Sequence, residues 1–223
     1  MNQPRILITA GPTHEPIDRV RSLNNSSSGR LGIHLAEAAV GREARTTLLL
    51  GPTHHAPAEH SLLETKRFQT TSELEELLKA TWPSHDVLLM AAAVADYRPR
   101  NPRLEGKLPR SEAGLTLELE ATPDLLAGLA EHSRPDQLRV GWALESRENL
   151  RERASRKLAR KHLHLIVANP LETIASEAIE PLVLARTGEE PEVLPVPAPR
   201  MGKADFAAWL VGAALDRQRA LQA

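Results

Sequence analysis

Arg5-Ile6-Leu7-Ile8-Thr9, followed at once by Ala10-Gly11-Pro12-Thr13, reads as a short strand that stops at a glycine and a proline. After a long connection, Leu31 to Val40 carries apolar residues at helical spacing, and Thr46 to Leu50 is strand-like again. A strand, a helix and a strand in this order suggest a crossover unit, because parallel neighbours need a long connection and it is usually helical. The alternation continues outward. Strands are predicted at Val87 to Ala91, Arg139 to Ala143 and His164 to Ala168, and helices at Ser72 to Thr81, Asp124 to His132, Glu148 to His162 and Lys203 to Leu221. The whole pattern predicts an α/β fold: a doubly wound, Rossmann-like, mostly parallel sheet with helices on both faces. Two capping signals accompany it. Ser72 followed by Glu75 reads as a capping box, and Thr122-Pro123-Asp124 as a cap followed by proline at the first helical position.

Two stretches break the rhythm. Tyr97 to Gly114, rich in Pro, Arg and Gly, reads as a mobile loop, and Pro181 to Val196 as a β-hairpin about Thr187-Gly188 at the sheet edge. Pro195 to Pro199 reads as a connector to the last helix. No internal repeat is evident, and residues 1–223 read as one domain.

Composition narrows the function. The chain has 223 residues, 28 Lys plus Arg against 29 Asp plus Glu, 41% hydrophobic residues and no Cys. It is long enough to bury a core without staples, and thiol chemistry is excluded. A net charge of -1 gives no field for a polyanion, and 3% aromatics leave little for stacking bases, so nucleic acid is a poor partner. The longest apolar run, Val87 to Ala95, is far short of the roughly 20 residues that span a bilayer. No signal peptide is evident, and the expected location is the cytoplasm.

In a doubly wound sheet, ligands bind beyond the carboxyl ends of the strands. After the first strand, Gly11 leads toward Asn24-Asn25-Ser26-Ser27-Ser28-Gly29, which opens a helix; such residues suit a phosphate and equally suit a plain cap. The glycine-rich dinucleotide and P-loop patterns are both absent. After the central strand, Met90-Ala91-Ala92-Ala93-Val94-Ala95 brings bare backbone to a ligand, as a flat base or a ribose requires. Asp96 follows, suited to a ribose hydroxyl, to Mg²⁺, or to pairing with Arg98. Lys107 sits on a Gly-hinged loop that can swing over a triphosphate, though loop lysines are commonly just solvated. Lys157 and Lys161, four apart on one helix, can share an anion or belong to a solvated basic face. Asn169, just past Leu165 to Ala168, points the same way, though Asn169-Pro170 is also a standard turn signal. His54, His55 and His60 read as loop surface, since their spacing places no three ligands on one element.

In their order, these segments resemble the phosphopantothenate-cysteine ligases, or phosphopantothenoylcysteine synthetases, of coenzyme A biosynthesis. The most specific parts are Ile8 to Thr13 with Glu15-Pro16-Ile17-Asp18, then Val20-Arg21 with Asn25 and Ser27-Ser28-Gly29, and Met90 to Tyr97. Lys107-Leu108, Thr122-Pro123-Asp124, Val140 to Ala143, Lys157-Leu158 with Lys161, and Leu165 to Asn169 support them. The resemblance implies that 4'-phosphopantothenate is activated by CTP, or ATP in the eukaryotic type, and that L-cysteine attacks the acyl nucleotidylate. It implies Asn25 and Lys107 as catalytic residues and Arg21 with Asn25 on the substrate. For the nucleotide it implies Gly11, Ser27, Ser28, Met90, Ala91, Ala92, Asp96, Lys107, Pro123, Asp124, Leu125, Leu126, Trp142, Lys157 and Lys161, with Asp96 on Mg²⁺. A homodimer and a separate phosphopantothenoylcysteine decarboxylase are the implied partners. No flavin is expected, because the family's frequent decarboxylase fusion has no room before Ile6 and its thiol is missing.

Several residues depart from the family pattern. Trp142 stands for Phe, Pro109-Arg110 follows Lys107-Leu108 in place of a basic run, His164 replaces an Asp, Leu144-Glu145-Ser146 replaces Ala-Glu-Thr, and Pro170 replaces an acid. They bear on loop closure and the base pocket more than on the reaction class. A nucleotide-binding module without turnover is one rival. A short-chain NAD(P)-dependent reductase fits poorly, because Asn101 rather than Lys stands four residues after Tyr97.

Overall fold

The computed structural model describes residues 3–173, 176–187 and 191–222. In chain order its first elements are β1 (Arg5–Ala10), β2 (His14–Pro16), β3 (Ser22–Asn24), α1 (Arg30–Val40), β4 (Arg45–Leu50), β5 (Leu63–Arg67), α2 (Thr71–Thr81) and β6 (Val87–Met90). There follow β7 (Tyr97–Pro99), β8 (Leu119–Ala121), α3 (Leu125–Gly128), β9 (Leu138–Glu145), α4 (Leu150–Arg160) and β10 (Leu165–Pro170). The last are β11 (Ala178–Ile179), β12 (Leu182–Arg186), β13 (Pro191–Leu194), β14 (Met201–Gly202) and α5 (Lys203–Leu221).

Eight strands form the main sheet in the order β13-β12-β10-β9-β6-β1-β4-β5. From β10 to β5 every pairing is parallel, and β12 and β13 extend the sheet as an antiparallel edge. The predicted doubly wound sheet and its C-terminal hairpin are therefore both present; Gly188, named for the hairpin turn, lies outside the described residues.

Alternation of side chains across the strands builds the two cores. Ile6 and Ile8 of β1 face α1 and α5, packing with Ile33, Leu35, Phe206 and Leu210, whereas Leu7 between them joins Leu74, Leu78, Leu126 and Leu158 beneath α2, α3 and α4. Both faces of the central strands β1, β6 and β10 are thus buried, which is why those strands read as continuous apolar runs. α1 lies close on β1, where a Cβ on Gly32 would overlap that of Ala10.

Three local readings need correction. β5 was not predicted: Leu63-Glu64-Thr65-Lys66-Arg67 is an edge strand with little buried surface, so it carries no apolar alternation. The cap of α2 is Thr70, whose hydroxyl accepts from Glu73 N, while the Glu73 carboxylate accepts from Gln69 N; the box lies two residues before the Ser72–Glu75 pair. Asp124 rather than Thr122 caps α3, accepting from Ala127 N at 3.2 Å, and the Thr122 hydroxyl is spent on Ala95 O. Among the described residues, no helix is long and apolar enough to cross a membrane.

Candidate active site

β1 leads through α1 to β4 on one side, while β6 lies on its other side, so the winding reverses between β1 and β6. Such a reversal opens a crevice beyond the strand ends. Here a cleft of about 1010 Å³ occupies that end of the sheet, walled by residues 90–96 after β6, 122–126 entering α3, 142–145 of β9, the basic face of α4, Asn25 with Ser26, and Asn169.

The wall after β6 is held by the segment after β1. Thr9 Oγ1 accepts from Ala92 N at 3.1 Å, Gly11 O from Ala93 N at 2.9 Å, and Thr13 Oγ1 from Ala95 N at 2.9 Å. Behind Thr13, buried Glu15 accepts from both the backbone N–H (2.8 Å) and the hydroxyl (2.6 Å) of Thr71. From the cleft side, Asn25 Nδ2 donates to Val94 O at 3.0 Å and Thr122 Oγ1 to Ala95 O at 2.5 Å. The run of small residues therefore presents backbone in a fixed shape. Sequence reasoning missed Thr9, Thr13 and Thr71; only Thr9, a hydroxyl among apolar residues near the end of β1, carries a local signal.

Charge in the cleft is unevenly committed. Lys161 pairs with Asp124 at 2.8 Å, Arg153 with Glu145 at 3.0 Å, and Arg156 with Glu152. Among the described residues Lys157 has only the Trp142 carbonyl oxygen, at 2.6 Å, and burial together with the neighbouring Lys161 pushes its ammonium below the ordinary lysine range. The Asp124 carboxyl is pulled down by its hydrogen bond to Lys161 against the opposing effect of burial. Among the described residues, Asp96 has no hydrogen bond or ion pair to its carboxylate, and it lines the cleft.

Two buried polar atoms of cleft-lining residues have no hydrogen-bond partner among the described residues: Trp142 Nε1, a donor, and Asn169 Oδ1, an acceptor. Trp142 pairs with Val167 and Leu144 with Asn169 in the β9–β10 register, so the two side chains lie on the same face of neighbouring strands. Buried polar atoms left unbonded are costly, and in a cleft they mark positions for a ligand or water.

Asn25, Met90 to Ala92, Asp96, Pro123 to Leu126, Trp142, Lys157 and Lys161 thus share one cleft. The other expected residues lie elsewhere. Arg21 and Lys107 line a separate cavity of about 640 Å³ with Arg110 and Leu115. Gly11, at φ 80°, supports the turn after β1, and a Cβ on Gly29, itself at φ 72° at the start of α1, would come within 3.4 Å of the Gly11 backbone. The hydroxyls of Ser27 and Ser28 accept from Gly29 N (3.3 Å) and Arg30 N (3.4 Å), local turn bonds leading into the Gly29 cap of α1, while Ser26 is the serine on the cleft. His55 accepts from Arg30 Nε, and His60 from Leu62 N.

The family model described as the DNA/pantothenate metabolism flavoprotein C-terminal domain matches residues 1–216. The chain is 39% identical over 171 residues to the cysteine/cysteine sulfinic acid decarboxylase of an unknown prokaryotic organism, covering 77% of this chain and 47% of that protein. It is 39% identical over 164 residues to the coenzyme A biosynthesis bifunctional protein CoaBC of Bacillus subtilis (strain 168), covering 74% of this chain and 39% of that one. It therefore spans less than half the length of either curated relative. The crystal structure of the C-terminal domain of a coenzyme A biosynthesis bifunctional protein CoaBC superposes with a TM-score of 0.78 at 32% identity, covering 100% of this chain and 97% of that one.

Proposed function

The chain belongs to the DNA/pantothenate metabolism flavoprotein C-terminal domain family, and on that premise we propose that it is a ligase joining 4'-phosphopantothenate to L-cysteine through an acyl nucleotidylate made from CTP. The observation that carries this reading is the single cleft in which Asn25, residues 90–92, Asp96, residues 123–126, Trp142, Lys157 and Lys161 converge at the winding reversal.

The chemistry has two steps. A carboxylate oxygen attacks the α-phosphorus of CTP, the bond to the β-phosphate breaks, and pyrophosphate leaves; the amine of cysteine then attacks the acyl carbon, loses a proton and displaces CMP. The first step needs two anionic substrates held in line, and both steps need the developing charge neutralised. In this reading residues 90–92 and Trp142 pack the nucleotide, Pro123 to Leu126 sit by the base, and Lys157 and Lys161 meet the phosphates. Lys107 neutralises the reacting phosphate, Arg21 serves the pantothenate side, and Asn25 holds the intermediate. Gly11, Ser27 and Ser28 support the nucleotide site from the helix start. Asp96, a lone carboxylate, fits Mg²⁺, which takes one or two carboxylates plus substrate phosphates and would supply charge neutralisation. No step uses a flavin. A cytoplasmic homodimer and a separate decarboxylase complete the proposal.

Pyrophosphate release with phosphopantothenate, cysteine and Mg²⁺, measured with CTP and ATP separately, tests it. Release dependent on phosphopantothenate and faster with CTP is expected. A chain that is stabilised by CTP but releases nothing is a nucleotide-binding module instead.

A further inference from the structure

Asp18 is a charged side chain wholly shielded from solvent in the turn between β2 and β3. Its Oδ1 accepts from Val20 N and Arg21 N, both at 2.8 Å, and its Oδ2 accepts from Arg21 Nε at 3.0 Å, from Arg21 Nη2, and from Leu108 N at 2.9 Å. Arg21 Nη2 also donates to Leu108 O at 2.7 Å. Two more bonds join the same turn to the same loop: Arg19 N to Gly106 O at 3.2 Å and Arg103 N to Ile17 O at 3.0 Å. The peptide groups on both sides of Lys107 are thus tied down from a segment some 90 positions earlier in the chain. The Lys107 ammonium itself has no hydrogen bond or ion pair among the described residues and lines the neighbouring cavity.

We propose that Asp18 is the positioning residue of Lys107: it fixes the loop backbone through Leu108 N–H and orients Arg21 to hold Leu108 C=O, so the ammonium is presented from a rigid mount. This goes beyond the ligase reading but rests on its assignment of Lys107. It also reassigns most of Arg21, since Nε and Nη2 are committed to the mount. The guanidinium beside it holds the Asp18 carboxyl well below the usual carboxylate range, so the mount stays charged and intact at neutral pH. A cation displaced by about 1 Å from the reacting phosphate can cost on the order of a hundredfold in rate while binding is nearly unchanged.

The test compares the wild-type chain with Asp18→Asn and Asp18→Glu in pyrophosphate release from CTP and phosphopantothenate, alongside trypsin cleavage at Lys107–Leu108. Asp18→Asn is expected to lower kcat at least about tenfold with the KM for CTP within about twofold, to be partly rescued by Asp18→Glu, and to be cut faster after Lys107. Unchanged kcat in folded Asp18→Asn, a loss confined to KM, or unchanged cleavage overturns the proposal. Wild type releasing no pyrophosphate sinks the ligase reading and the catalytic half of the proposal with it, while the cleavage rates still decide whether the mount exists. If Asp18→Asn does not fold, amide exchange in wild type decides: Leu108 N–H is expected to exchange at least about tenfold more slowly than Lys107 N–H, and equal rates overturn the mount.

Discussion

Lys157 Nζ donates a 2.6 Å hydrogen bond to the carbonyl oxygen of Trp142, joining α4 to β9 at the floor of the cleft. That single acceptor is thin compensation for a buried ammonium beside Lys161, and the Lys157 pKa falls for that reason. In the free protein, the unfolded chain binds more protons than the folded one between the depressed folded value and the ordinary 10.5, so stability rises with pH through that window.

An anionic nucleotide supplies the missing counter-charge and should reverse the shift. Binding of CTP at pH 9 is therefore expected to take up a fraction of a proton, read by titration calorimetry in two buffers of different ionisation enthalpy. Lys157→Met should abolish the uptake and weaken CTP by roughly tenfold to a hundredfold, the range for a hydrogen bond to a charged group, with little loss of apo stability. Uptake unchanged in the variant would place the titrating group elsewhere.

In the proposed reaction Lys107 serves formation of the acyl nucleotidylate and Asn25 its capture by cysteine, so their variants should fail at different stages, although the two residues line different cavities in the free protein. Lys107→Ala is expected to depress acyl-nucleotidylate formation by about a hundredfold or more, the scale of removing one preorganised charge from a transition state. Asn25→Ala also loses the 3.0 Å bond to Val94 O and should let the intermediate form and accumulate. Rapid quench should show about one pyrophosphate per site without amide for Asn25→Ala and almost none for Lys107→Ala. Equal turnover in both variants would remove both residues from the reaction.

The frame of this fold was legible because buried parallel strands must be apolar along their length, as Ile6-Leu7-Ile8 and Leu165-Ile166-Val167 are. β5 was hidden because Glu64 and Lys66 stand on an open edge and Leu63 alone of its residues is apolar, too little for an alternation. The cleft-lining segments were legible because small residues and an acid at a strand end are costly unless something uses them. What stayed hidden was pairing across the chain. Lys161 looks as free as Lys157 in the sequence, yet Asp124, 37 positions earlier, neutralises it. Arg21 looks like a substrate ligand, yet Asp18 and Leu108 occupy two of its nitrogens. Asn169 was singled out beside a turn signal, and only the β9–β10 register brings it to the same face as Trp142.

Gly32 of α1 packs directly against Ala10 of β1. A methyl on Gly32 would overlap the Cβ of Ala10 and come within 3.1 Å of the Ala10 Cα, backbone that cannot swing aside. Gly32→Ala is therefore expected to cost about 1–3 kcal/mol, the usual penalty of overpacking, in spite of the better helix propensity of alanine. Urea melts of the two proteins would measure it. A gain in stability would rule out a close contact between Gly32 and Ala10.

At the opposite end of the sheet, His164 accepts a 3.0 Å hydrogen bond on Nδ1 from Arg139 N and is neutral in that role. Burial, then the positive charges of Arg139, Arg186 and Arg217, push its pKa from 6.5 to about 4. Because the folded value lies below the unfolded one, the unfolded chain takes up the proton first as pH falls. The stability that neutral His164 contributes is present above pH 6.5 and is lost progressively down to about pH 4. The loss from this group amounts to about 3 kcal/mol between pH 7 and pH 4. Denaturant melts at pH 7 and pH 5 should show most of that slope in the wild type, and His164→Gln should flatten it. Buried His85, shifted down for the same first reason, leaves a residual slope in the variant. An unchanged slope in His164→Gln would assign the acid sensitivity to His85 and not to the arginine-flanked end of β10.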